Sequence, residues 1–157
     1  MTLPSQVLLK SLHVDSEAVP WVVEPGLRTA KVEMRVLHAR PDEELYVTQV
    51  RAHPGSESSL HRHRGQAFAF TTKGMWGHDR TYPYRPGVYT YEMPGLVHQF
   101  LNGTEVSEVF FVSQGAVEFL NPAAIDEVVG TLTAADVVRG YFEACENAGL
   151  TRPNILL

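Results

Sequence analysis

Polar and apolar residues alternate singly through residues 31–37 and again through 45–52, the period of strands with one buried and one exposed face. Residues 66–72, 88–93, 97–101, 108–112 and 116–119 read as further short strands. Turn chemistry separates them: Pro25-Gly26, a charged stretch at 40–44, His53-Pro54-Gly55-Ser56, Lys73-Gly74, Pro94-Gly95 and Asn102-Gly103. Pro20 places the apolar residues 18–23 at a sheet edge, and Val7-Leu8-Leu9 reads as a short strand or an arm on a neighbour. Asn121-Pro122 ends the strand run. Thr133 with Asp136 then forms a helix N-cap pattern, and Val137, Val138, Tyr141, Phe142 and Cys145 follow at helical spacing up to Gly149. About ten strands and one amphipathic helix, with no repeat or linker, predict a barrel or sandwich.

Chemistry concentrates in one part of this pattern. His61 and His63 share a strand face, so Arg62 and Arg64 point the other way. A third histidine, His98, follows the Pro94-Gly95 turn. One His-x-His pair on a strand is more often surface than site. A third imidazole delivered by a tight turn makes a shared divalent metal the better reading. Cys145 lies on the apolar helix face and reads as a buried thiol. His53 reads as structural, beside Pro54.

At these residues the chain resembles the cupin superfamily. His61, His63 and Gly74 fit its first motif, with Ala67 (or Phe68 in the longer spacing) where that motif has Glu. Gly87, Pro94, Gly95, His98 and Asn102 fit the second. Pro20-Trp21, the HRHRG stretch, Gly74-Met75-Trp76, Glu92 and Pro94-Gly95-Leu96-Val97-His98 are similar to single-domain cupins related to 2,4'-dihydroxyacetophenone and acetylacetone-cleaving dioxygenases.

The resemblance implies an all-β cupin fold, a double-stranded β-helix or jelly-roll barrel, with a C-terminal α-helix. One domain would fill 1–157: an N-terminal arm with edge strands to 30, a barrel over 31–120 and a helix over 133–149. It further implies an Fe(II) centre held by His61, His63 and His98, zinc or another divalent metal being the alternative. Glu92 would orient a ligand from behind, and either Gln66 or Glu92 itself is a candidate weak fourth ligand. Ala67, Phe68, Trp76, His78 and Phe100 would wall the pocket. The implied reaction cleaves a C–C bond of a β-diketone or hydroxyacetophenone with O2. The other readings are a metal-loaded cupin that binds or senses a ligand without turnover, as in zinc-binding anti-sigma factors, and a zinc or manganese isomerase or hydrolase.

Composition adjusts this picture modestly. A net charge of −5 with no basic run argues against nucleic acid and anionic membranes. A single cysteine fits a reducing compartment, and the N-terminus lacks a signal-peptide pattern, so a cytoplasmic protein is expected. The apolar N-terminal arm and the resemblance together imply a homodimer or larger homo-oligomer.

Overall fold

The computed structural model describes residues 11–24 and 32–156; the expected strand at Val7-Leu8-Leu9 and turn at Pro25-Gly26 lie outside them. The chain forms β1 (Val22–Val23), β2 (Val32–Arg40), β3 (Leu45–Ala52), β4 (His61–His63), β5 (Ala67–Lys73) and β6 (Trp76–Gly77). It continues with β7 (Tyr89–Glu92), β8 (Val97–His98), β9 (Leu101–Asn102), β10 (Ser107–Gln114), β11 (Val117–Asn121), β12 (Ala124–Leu132) and the helix α1 (Ala134–Asn147). A six-stranded sheet in the order β1-β2-β3-β10-β5-β7 faces a four-stranded sheet, β12-β11-β4-β8, and β6 pairs with β9. All strand pairs are antiparallel, and the non-consecutive neighbours β3-β10, β10-β5, β5-β7, β11-β4, β4-β8 and β6-β9 are those of the expected jelly roll with its C-terminal helix.

Alternation along the strands decides what lies inside. In β5, Ala67, Ala69 and Thr71 are buried, whereas Phe68 is half-buried and Phe70 exposed. In β7, Thr90 and Glu92 are buried while Tyr89 and Tyr91 are exposed. The aromatic residues of these two strands therefore coat the outer face, not the barrel core that their alternation suggests. Small residues take the inner face and leave room there.

The strand β12 breaks the expectation that the sheet ends at Asn121-Pro122. It pairs with β11 through two register irregularities, between Phe119 and Leu120 and between Leu120 and Asn121. These bulges destroy the two-residue period, and β12 is mostly exposed, so no hydrophobic alternation marks it.

The helix begins as its sequence predicts. Thr133 accepts from the Asp136 amide, and the Asp136 carboxylate accepts from the Thr133 amide at 2.9 Å, a complete capping box. The Glu44 carboxylate accepts from the Ala134 amide at 2.9 Å, tying the β2–β3 turn to the helix start. Val137, Val138, Tyr141 and Cys145 join Met34, Val36 and Tyr46 in one core cluster, so α1 continues the packing on the inner face of the large sheet. The Tyr141 hydroxyl donates to the Pro20 carbonyl at 2.7 Å. Cys145 is fully buried there. Among the described residues, no helix is long and apolar enough to cross a membrane.

Candidate metal centre

Strand register brings the histidines together. His61 stands directly opposite His98 across the β4–β8 pair, and its other neighbour is Phe119 of β11. Residues in direct opposition share a face with their Cβ atoms about 5 Å apart. His63 lies two residues along the same strand face. The turn before His98 is bonded to this strand: the Gly95 amide donates to the His63 carbonyl at 2.8 Å, and Gly95 takes a φ of 86°. Beyond β4, a Cβ on Gly65 would meet the Gln114 carbonyl oxygen at 1.9 Å, so the HRHRG glycine permits a backbone crossing that no other residue allows. On the opposite face, Arg62 donates twice to the Glu118 carboxylate, at 2.8 and 2.6 Å, and locks β4 to β11.

The ring centroids of His61, His63 and His98 are 5.1, 4.4 and 5.0 Å apart, and one ring nitrogen of each lies within 4.8 Å of the others. His61 Nδ1 is 2.8 Å from the Ser59 carbonyl oxygen. A carbonyl only accepts, so Nδ1 carries the proton and Nε2 keeps its lone pair for a metal. Ser59 is a site residue that the sequence pattern does not reveal.

Glu92 completes the cluster. Its side chain is 1% exposed, its Oε1 is 3.0 Å from His78 Nε2, and its Oε2 is 3.2 Å from His63 Nε2 and 3.6 Å from His98 Nε2. Glu92 Oε2 and both nitrogens of His98 are buried without a hydrogen-bond partner among the described residues. Unsatisfied buried polar atoms are costly, and two of these, Glu92 Oε2 and His98 Nε2, lie 3.6 Å apart. A divalent cation satisfies imidazole nitrogen and carboxylate oxygen together, so the residues present fit a metal. His78, Glu92 and His98 form a second group of ligating spacing that shares His98.

Burial also keeps the imidazoles neutral. Desolvation brings His63 down to about 4, against the partial opposition of Glu92, and lowers His61. His98 is lowered further, by burial first and then by its histidine neighbours. Neutral imidazole is the ligating form.

A cavity of ≈190 Å³ opens from this cluster into the barrel. Trp76 and Phe100 line it, their rings stacked 4.7 Å apart, and Phe111 and Phe119 add to an apolar wall. His78 bonds to Glu92 and packs edge-on against the His98 ring, with centroids 4.1 Å apart. Ala67 is fully buried between Ser113 and Glu92. Phe68 and Gln66 stand elsewhere than expected. Phe68 packs on Tyr89 and Tyr91 outside the sheet, because strand parity opposes it to Ala67. Gln66 bonds to Gln114 and Tyr91, away from the histidines. Asn102 is a scaffold residue: its amide donates to the Ala52, His53 and Glu105 carbonyls. His53 pairs with Glu33 at 2.9 Å.

Solved structures share this architecture. A protein of unknown function with a cupin-like fold from Ralstonia eutropha JMP134 superposes with a TM-score of 0.83 at 24% identity, covering 100% of this chain and 96% of that one. An acetylacetone dioxygenase from Acinetobacter johnsonii gives 0.72 at 15% identity, covering 92% and 98%. The anti-sigma factor ChrR of Rhodobacter sphaeroides, solved with SigE, gives 0.51 at 18% identity over 60% of this chain and 49% of that one. No curated protein sequence matches the chain. The model of the ChrR cupin-like domain matches residues 9–118, a span that carries both histidine strands and Glu92, and the chain belongs to that family of cupins.

Proposed function

We propose that this protein is a metal-dependent dioxygenase that cleaves a C–C bond of a small enolisable ketone, of β-diketone or hydroxyacetophenone type. The observation that carries the reading is the convergence of three neutral imidazoles and one buried carboxylate on an apolar cavity. Iron(II) bound by His61, His63 and His98 would supply the chemistry of O2 and the positive charge that favours an enolate. Glu92 Oε2 faces the same space and takes the acidic α-proton of the ketone, while His78 holds Oε1 and fixes the carboxylate. The walls formed by Trp76, Phe100 and Phe111 keep water from the reacting carbon. The cavity exceeds the ~150 Å³ that accommodates a benzene ring, so an aryl ketone fits.

The same reading has the protein work as a homodimer or larger assembly in the cytoplasm. Exposed Phe70, Tyr89 and Tyr91 on one sheet face support self-association, and the lone buried Cys145 suits a reducing compartment. The likeness to ChrR favours a second reading, a metal-loaded cupin that binds a ligand without turnover. Metal analysis of anaerobically purified protein, coupled to oxygen uptake over a panel of β-diketones and hydroxyacetophenones, separates the two. Stoichiometric iron with ketone-dependent uptake and carboxylic acid products is expected. Metal-replete protein that consumes no oxygen with any panel member overturns the dioxygenase in favour of a binding cupin or a zinc or manganese isomerase or hydrolase.

A further inference from the structure

The cavity has a second polar end. One row of inward-facing residues crosses the large sheet through direct cross-strand partners: Glu92 of β7, Ala67 of β5, Ser113 of β10 and Tyr46 of β3. All four are buried. Three strand spacings separate Glu92 from Tyr46, about 14 Å between backbones. Tyr46 and Ser113 stand directly opposite each other across the β3–β10 pair, and both line the cavity.

Glu24 joins them. It follows β1, its amide donates to the Val32 carbonyl at 3.0 Å, and it shares the inward face with buried Val22. Its side chain lines the same cavity as Tyr46 and Ser113. Burial pushes the Glu24 carboxyl up to about 7. The tyrosine hydroxyl is pushed up to about 12, mainly by burial. An acid and a phenol on this wall hold hydrogen-bonding capacity that the metal centre does not use.

We propose that Glu24, with the Tyr46–Ser113 hydroxyl pair, forms a distal subsite for a hydroxyl group at the far end of an aryl ligand whose chelating oxygens meet His61, His63 and His98. Resting on the metal reading above, the inference narrows the ligand to an elongated, flat molecule that is polar at both ends. A small aliphatic diketone would leave the distal groups unpaired; a para-hydroxyaryl diketone satisfies them. A hydrogen bond to such a group changes affinity by about tenfold.

The test uses zinc-loaded protein, which supports no oxygen chemistry, and calorimetric titration with two probes: 1-phenyl-1,3-butanedione and its 4-hydroxyphenyl analogue. The wild-type protein is expected to bind the hydroxylated probe about tenfold more tightly. Glu24→Leu should erase that preference to within twofold, leaving zinc stoichiometry and the affinity for the plain phenyl probe unchanged. Tyr46→Phe keeps the ring and should lower the preference about threefold, which serves as the second measurement if Glu24→Leu does not fold. Equal binding of both probes by wild-type protein, or a preference that survives both substitutions, overturns the distal subsite. If wild-type protein retains no zinc, the metal reading fails separately. The same two probes titrated into the apoprotein then judge the distal subsite by the same criterion.

Discussion

Ala67 stands directly opposite Glu92 across the β5–β7 ladder, so a methyl group lies beside a buried carboxylate. The first cupin motif carries its Glu at the position of Ala67. Here an acidic side chain occupies the same face from the neighbouring strand, and the small residue makes room for it.

This pairing makes a transposition testable. Ala67→Glu alone puts two carboxylates side by side in a buried site, and the metal-free variant should lose about 3 kcal/mol in urea unfolding. The double variant Ala67→Glu/Glu92→Ala returns the acid to the other strand and should recover most of that loss. Its metal affinity should stay within tenfold of wild type. A double variant no more stable than Ala67→Glu alone would show that the two positions do not share one space.

Glu92→Gln keeps the shape of the side chain and removes the anion. Metal affinity should fall roughly 10- to 100-fold, measured by competition with a chelator of known affinity. His78→Ala should produce a smaller fall, because His78 holds Glu92 Oε1 and packs on the His98 ring without belonging to the three-histidine group. A larger effect at His78 than at Glu92 would assign His78 to the metal itself.

Replacing His61, His63 or His98 with Ala should each abolish stoichiometric metal binding, with the far-ultraviolet circular dichroism unchanged. Apolar burial in the two core clusters, rather than the ion, holds the barrel. Full metal content in any one of these variants removes that residue from the ligand set.

The pH dependence of the apoprotein has two opposed parts. His63 falls from 6.5 unfolded to about 4 folded, so the unfolded chain takes protons first and stability is lost as pH drops from 6.5 towards 4. Glu24 rises from 4.5 to about 7, so its contribution is full below 4.5 and is lost as pH rises through 7. Glu24→Gln removes only the second part. Its urea midpoint should therefore climb more steeply than that of wild type between pH 4.5 and 6.5; parallel profiles would contradict the assignment.

Thr133→Ala removes the oxygen that accepts from the Asp136 amide. A loss of about 1 kcal/mol in stability is expected. Because α1 supplies part of the main core, the loss should appear in the global transition rather than as fraying.

The histidine strands and the helix start were legible in the sequence because each depends on local chemistry: a two-residue period, a tight turn, a capping pair. The parity of Glu92 was legible for the same reason. Its place beside the histidines was implied only by the resemblance, since cross-strand register links residues far apart in the chain. Phe68 misleads because aromatic residues on a strand suggest core, whereas here alanines hold the inner face of β5. The exposed, bulged β12 carries no periodic signal at all. Glu24 and Tyr46 look like ordinary strand residues until the large sheet brings both to one cavity.

The two tryptophans occupy opposite environments. Trp76 is fully buried at the cavity wall, stacked on Phe100 and 5.7 Å from the His78 ring. Trp21 is partly exposed and packs against the guanidinium groups of Arg35 and Arg51, at 4.4 and 4.0 Å. Their fluorescence therefore separates by colour and by access: Trp76 emits at the blue edge and is shielded from iodide, while Trp21 emits further to the red. An open-shell ion among the histidines would darken the blue component alone, giving the protein an optical gauge of its own interior.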